Sequence, residues 1–257
     1  MYFRFRLLTM NRLHIFFCLL CFFLLGSACK NESAQIVKKD LPKLQYELVK
    51  PQFSEEKPLP LLVVLHGRGS NAENSMNWAS QLGKEWLVVT IQAPHLMEIE
   101  KYQWYPMEFQ GKKRIYDYND MLESKDLVLN TIRHLQQENS INDQKIVVAG
   151  FSQGAYMAGL IALEEPSIVE GVAILSGGLV PEVELGKKLG ESWRDLEVFI
   201  SHGRQDAVLD FEEARASANF LAELDIKVTA RWYDSGHTIS SQNFQDLYNW
   251  LEMMRVK

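Results

Sequence analysis

A serine set between glycines, Gly150-Phe151-Ser152-Gln153-Gly154, follows the apolar run Ile146-Val147-Val148-Ala149 and precedes the small residues Ala155, Ala158, Gly159 and Ala162. The apolar run is long enough for a buried strand. The small residues suit a helix that must pack closely against it. A sharp strand-to-helix turn at the serine lifts its Oγ off the sheet edge and puts the next backbone N–H at a helix N-terminus. The glycines are needed because a Cβ at either position would clash where strand and helix meet. That arrangement is suited to nucleophilic attack on a carbonyl. The alternative is an ordinary strand–helix turn whose glycines only permit tight packing.

A serine hydroxyl is a weak nucleophile, so the nucleophilic reading requires a base, and the base requires a carboxylate to hold its tautomer. In a strand–turn–helix site of this kind the chain order is serine, acid, histidine. Downstream of Ser152 only His202 and His237 are available. His237, in Ser235-Gly236-His237-Thr238 after the last apolar strand, is the expected base. His202 is expected to shape the loop that carries the acid. Asp206, in His202-Gly203-Arg204-Gln205-Asp206, is nearer the strand end than Asp210. Asp210 precedes Phe211-Glu212-Glu213 and reads as a helix N-cap. The oxyanion of a tetrahedral intermediate needs N–H donors fixed in advance. The expected pair is the backbone of Gln153 and the backbone of Arg68, in the loop His66-Gly67-Arg68-Gly69. His66 is expected to bond within that loop.

The elements that must position these groups follow from the apolar pattern. Runs at 44–49, 61–65, 86–91, 146–149, 172–175, 198–200 and 228–233 read as strands, and most end in a glycine or histidine cluster. Near-continuous apolar strands imply a sheet covered on both faces. Between them, Met121, Leu122, Val128, Leu129, Ile132 and Leu135 fall on one helical face. So do Phe211, Ala214, Ala218, Leu221 and Leu224, and then Phe244, Leu247, Tyr248 and Leu251. Alternating strands and helices predict an α/β fold, a mostly parallel doubly wound sheet with helices on both faces. Ligands bind at the carboxyl ends of such strands, where the clusters fall. From Tyr102 to Tyr118 aromatics are dense and interleave with Lys112, Lys113 and Arg114. This segment reads either as a pocket wall, with Trp104 and Tyr105 as its candidates, or as a loop covering the core. The Lys-Lys-Arg run is expected to be solvated.

Residues 1–28 are set apart. Arg4, Arg6 and Arg12 precede the apolar stretch Ile15–Leu25, which is too short to span a bilayer. Gly26-Ser27-Ala28 and Cys29 follow. This is a secretory signal, and the cysteine after small residues resembles a bacterial lipobox, although Gly26 stands where leucine is more usual. Cleavage before Cys29 and acylation of its thiol are expected, with residues 29–43 as a tether and 44–257 as the folded domain. The other reading is an ordinary signal peptide with a coincidental cysteine. All three cysteines, Cys18, Cys21 and Cys29, lie at or before this point, so the domain has no disulfide, thiol nucleophile or cysteine-ligated metal. Without the three leader arginines, 24 of the 27 basic residues face 33 acidic ones, a net charge of −9. An acidic domain suits neither nucleic acid nor an anionic membrane surface. Membrane association is therefore expected from the lipid anchor alone, on the cell envelope.

The chain resembles the phospholipase/carboxylesterase family of α/β-hydrolases, the group that includes acyl-protein thioesterases and small bacterial carboxylesterases. The resemblance rests on Leu65-His66-Gly67-Arg68-Gly69, Gln92-Ala93-Pro94, Trp104-Tyr105, Gly150-Phe151-Ser152-Gln153-Gly154, His202-Gly203-Arg204-Gln205-Asp206 and Gly236-His237. It implies an α/β-hydrolase fold with nucleophile, acid and base at Ser152, Asp206 and His237. It also implies oxyanion donors at Arg68 and Gln153, and hydrolysis of carboxylic or thioesters without metal or cofactor. The chain departs from the family at Arg68, where an apolar residue is usual, at Ser70-Asn71, where many members have an acidic residue, and at Ala155, where a second glycine is common. These departures spare the three groups and leave the substrate open among short-chain esters, lysophospholipids and acylated glycans. A peptidase of the same fold and a non-catalytic envelope lipoprotein are the competing readings.

Overall fold

The computed structural model describes residues 42–52, 58–111, 113–181 and 195–256. The leader, Cys29 and almost all of the expected tether lie outside the described residues. Along the chain the elements are β1 (Tyr46–Val49), β2 (Leu59–Leu65), α1 (Ala72–Ala79), β3 (Leu87–Ile91), β4 (His95–Glu98), β5 (Lys101–Gln103), β6 (Met107–Gln110) and β7 (Lys113–Tyr116). They continue with α2 (Tyr118–Glu138), β8 (Ile141–Phe151), α3 (Gln153–Glu164), β9 (Gly171–Leu175), β10 (Glu197–Gly203), α4 (Phe211–Glu223), β11 (Lys227–Tyr233) and α5 (Ser241–Arg255). Seven strands form one sheet in the order β1-β3-β2-β8-β9-β10-β11. Every pair is parallel except β1 with β3.

Side-chain alternation explains why the central strands read as unbroken apolar runs. Leu61, Val63 and Leu65 of β2 face one core, which α2, α3 and α4 cover. Leu62 and Val64 face the other, which α1 and α5 cover. Both faces are dry, so both sets must be apolar. Each fully buried aliphatic side chain of this kind contributes about 1.5–3 kcal/mol. Helix α3 lies deepest, with every residue from Gln153 to Leu163 buried. That is why it shows no polar stripe. Helix α1 has only eight residues, too few for its inner face of Ala72, Ser75, Met76 and Ala79 to stand out in sequence. It forms because Asn71 caps it, Oδ1 accepting from Asn74 N at 2.8 Å. It docks through Thr90 of β3, whose hydroxyl donates to Ala72 O at 2.9 Å.

The aromatic segment forms two small hairpins outside the main sheet, β4 with β5 and β6 with β7. Strand β5 pins the loop after β2: Gly69 N donates to Tyr102 O at 2.7 Å and Tyr102 N to Ser70 O at 2.9 Å.

The turn between β8 and α3 is the tightest place in the fold. A Cβ on Gly150 would lie 2.0 Å from Gly154 O, and a Cβ on Gly154 would lie 2.3 Å from Leu65 O. Both obstacles are backbone, so no side-chain movement relieves them. Gly154→Ala is expected to lower the unfolding free energy by roughly 3 kcal/mol, read as a shift of the urea midpoint. An unchanged midpoint would contradict the packing described here.

Candidate active site

Ser152 occupies that turn with φ 54° and ψ −117°. Such a backbone costs a non-glycine residue on the order of 1–3 kcal/mol and persists only where its surroundings fix it. Here Ser152 N donates to Leu175 O, and Ser152 O accepts from Ala155 N, both at 2.9 Å. The turn aims Oγ away from the sheet and toward His237, whose Nε2 is 2.9 Å distant.

His237 lies in the loop after β11, with its ring 5.0 Å from that of Phe151. Its Nδ1 is 2.7 Å from Asp206 Oδ2. A carboxylate accepts only, so the proton sits on Nδ1 and Nε2 presents its lone pair to the serine hydroxyl. The loops carrying the two residues are tied together: Arg204 N donates to Tyr233 O at 2.8 Å and Gln205 N to Ser235 O at 3.0 Å. The side chain of Asp206 is fully buried. Oδ1 accepts from Val208 N at 2.8 Å and Leu209 N at 3.0 Å, while His202 Nε2 lies 3.1 Å from Oδ2. Burial alone would push this carboxyl up. The N–H groups of Leu209 and Val208, with His237, outweigh it and hold Asp206 below the usual carboxylate range.

The loop after β2 lies against the nucleophile. A Cβ built on Gly67 would fall 3.3 Å from Ser152 Cβ. Among the described residues, neither Arg68 N nor Gln153 N donates a hydrogen bond to the protein, and both residues line the cavity that holds Ser152 and His237. Gln153 N also opens α3, where the helix dipole favours negative charge. His66 anchors the loop: Nδ1 lies 2.8 Å from Gly67 O, and Nε2 accepts from Ala93 N at 3.1 Å. Burial lowers its pKa to about 4, so it is neutral at pH 7 and works as a bracket between loops.

The sequence expectations meet the structure unevenly. Ser152, Asp206 and His237 converge although 85 residues separate the first from the last. Asp210 caps α4, Oδ1 accepting from Glu212 N at 3.0 Å, and His202 braces Asp206 as expected. The pair Trp104 and Tyr105 divides. Tyr105 lines the cavity. Trp104 is fully buried behind it, its indole N–H donating to His66 O at 2.7 Å. A ring that large with a single donor is most stable where its face is dry and its N–H meets a covered carbonyl. The expectation of a solvated basic run fails at Arg114, whose side chain is 12% exposed and paired with Glu213. Lys113 is exposed, and Lys112 lies outside the described residues.

Sequence reasoning also passed over the Gln153 side chain. It accepts from Trp104 N and donates to Tyr105 O, each at 2.8 Å, and so holds the aromatic segment over the nucleophile turn. The cavity beside Ser152 measures about 200 Å³, with Tyr105, Met107, Phe109, Tyr156, Val208 and Leu209 as its largely apolar wall. Among the described residues no cluster of His, Cys, Asp and Glu is arranged to hold a metal ion.

A hydroxyl beside a carboxylate-held imidazole, at the carboxyl end of a parallel sheet, is the site of an α/β-hydrolase. Comparison with known proteins narrows the class. The phospholipase/carboxylesterase family model matches residues 47–255, and the chain belongs to that family. It is 28% identical over 113 residues to a probable carboxylesterase SOBER1-like of Arabidopsis thaliana, covering 44% of this chain and 43% of the relative. It is 28% identical over 150 residues to acyl-protein thioesterase 1 of Aspergillus fumigatus, covering 57% of this chain and 62% of that relative. These matches therefore span about half the length of the curated relatives. The crystal structure of the Bacillus cereus carboxylesterase superposes with a TM-score of 0.70 at 19% identity, covering 82% of this chain and 94% of the other. That likeness shows the fold.

The lowered pKa of Asp206 carries a signed prediction. A carboxyl held below its ordinary value stabilises the fold above about pH 4, the unfolded value, and the contribution is lost as pH falls through the lower folded pKa. The stability advantage of the wild type over Asp206→Asn is expected to be full at neutral pH and to shrink in acid below that point. Urea unfolding at the two pH values measures it, and an advantage that grows in acid would contradict the assignment.

Proposed function

We propose that the protein is a serine esterase that hydrolyses carboxylic or thioesters through an acyl-enzyme on Ser152. The observation that carries this reading is the single imidazole of His237, 2.9 Å from Ser152 Oγ and 2.7 Å from Asp206 Oδ2. Ser152 Oγ attacks the ester carbonyl as His237 Nε2 takes its proton. Asp206 keeps the ring oriented and stabilises the imidazolium. The N–H groups of Arg68 and Gln153 receive the oxyanion. The bond from carbonyl carbon to leaving group then breaks, and His237 returns the proton to the departing alcohol or thiol. Water then attacks the acyl carbonyl as His237 Nε2 takes its proton, the bond to Ser152 Oγ breaks, His237 returns the proton to the serine, and the acid leaves.

We also propose that Cys29 becomes the acylated N-terminus of the mature chain and holds the enzyme on the cell envelope. The sequence from Gly26 to Cys29 supports this. An envelope location favours small-molecule, lipid or glycan esters over the protein substrates named for thioesterase relatives.

Ser152→Ala is expected to lower kcat/KM on p-nitrophenyl esters by about 10⁴-fold or more and to abolish fluorophosphonate labelling. Full turnover in that variant would sink the mechanism. Mass spectrometry of the mature protein is expected to find acyl chains on Cys29. An unmodified terminus elsewhere would refute the anchor and leave the esterase untouched.

A further inference from the structure

One charged side chain, Arg114, interrupts the apolar wall of the cavity beside Ser152, on the side away from the loop after β2. Arg114, on β7, donates to both carboxylate oxygens of Glu213 on α4, Nη1 to Oε1 at 3.1 Å and Nη2 to Oε2 at 2.7 Å. Its guanidinium lies 4.5 Å from the ring centroid of Tyr156, and the Tyr156 hydroxyl donates to Glu213 Oε2 at 2.8 Å. Tyr156 and Arg114 line the cavity of about 200 Å³ that contains Ser152 and His237. On the other side, Arg114 and Glu213 line an apolar trough of about 670 Å³ with Tyr116, Leu179, Val180 and Phe220. The ion pair is thus a partition between the nucleophile and a larger apolar space.

Two physical facts give the partition consequence. Ser152 and His237 also border a wider, more polar cleft of about 800 Å³ with Gly67, Ser70 and Thr238, which suits the leaving alcohol and water. The acyl end is then left with the inner cavity, which at about 30 Å³ for a water-sized group holds about six heavy atoms, the reacting carbonyl included. An alkyl chain cannot push the partition aside cheaply, because parting the mostly buried Arg114 from the half-exposed Glu213 leaves the guanidinium charge unpaired beside the cavity. Hydrogen bonding on both oxygens of Glu213 also fixes the position of the wall, which a lone arginine would not do.

Building on the esterase reading, we propose that the Arg114–Glu213 pair, backed by Tyr156, sets the acyl specificity of this enzyme and restricts it to short acyl groups of about four carbons or fewer. Arg114 and Tyr156 face the acyl end of the substrate, Glu213 holds Arg114 in place from behind, and none of the three takes part in proton transfer.

The test compares kcat/KM on p-nitrophenyl acetate, butyrate and octanoate. Wild type is expected to prefer the two short esters. The double variant Arg114→Ala/Glu213→Ala removes both charges together and joins the two spaces. It is expected to raise the octanoate-to-acetate ratio by at least about ten-fold, the scale of chain-length discrimination in an apolar pocket. Glu213→Gln keeps the volume and one hydrogen-bond acceptor, so it is the variant to read if the double variant does not fold. It is expected to raise the ratio in the same direction by a smaller factor. Fluorophosphonate labelling of Ser152 and a thermal melt report on folding in each case. A wild-type optimum at octanoate, or an unchanged ratio in the folded variants, overturns the wall and leaves the esterase standing. No turnover of any ester and no labelling of Ser152 overturns the esterase reading and the wall with it.

Discussion

The start of α3 presses backbone against backbone on the end of β2, and the site depends on that contact. Gly154 lets the helix begin so near the Leu65 carbonyl that a single Cβ would overlap it. This proximity forces Ser152 into a positive φ, between a strand that ends abruptly and a helix that begins at once. The same contact sets the loop after β2 beside the serine, so that the backbones of Arg68 and Gln153 border one cavity. Because α3 is buried along its length, the turn cannot relax by letting the helix drift outward. Strain at one residue is therefore held by packing of a whole layer.

Around that turn the polar groups are arranged so that each loop is held by another. His66 is kept neutral by burial and brackets the loops after β2 and β3. Asp206 is kept charged because two backbone N–H groups and His237 offset its burial. The Gln153 side chain ties the aromatic segment to the nucleophile turn. These are buried contacts in low dielectric, where a satisfied network fixes a geometry more rigidly than surface pairs do. A site preorganised in this way presents its groups already oriented, which is what stabilisation of a short-lived oxyanion requires.

Much of this was legible in the order of residues. The unbroken apolar runs gave the sheet because strands dry on both faces have no room for alternation, as Leu61–Leu65 shows. The serine turn was legible because backbone-on-backbone contact tolerates only glycine at Gly150 and Gly154. The assignment of Asp206 over Asp210 was legible because a residue just after a strand end lies at the crevice, while one before Phe211-Glu212-Glu213 serves the helix. Helix α1 was not legible, since eight residues are too few to establish a period, and its start depends on the Asn71 cap and on docking against Thr90. The aromatic segment was readable as aromatic but not as a structure, because two short hairpins packed on a foreign surface leave no period of their own.

The sequence by itself determined the class of fold and the identities of the three groups that meet at Ser152, because those depend on local chemistry repeated at strand ends. Only the tertiary structure decided which aromatic faces the cavity and which supports it. Trp104 and Tyr105 are neighbours in sequence and both buried, but the Trp104 indole is turned to the carbonyl of His66 while Tyr105 borders the cavity beside Ser152. The tertiary structure also decided that Arg114 is not a solvated cation but half of an ion pair with Glu213, 99 residues away. No local pattern encodes such a pairing, because the attraction between two charges depends on the distance the fold leaves between them and on the water it removes.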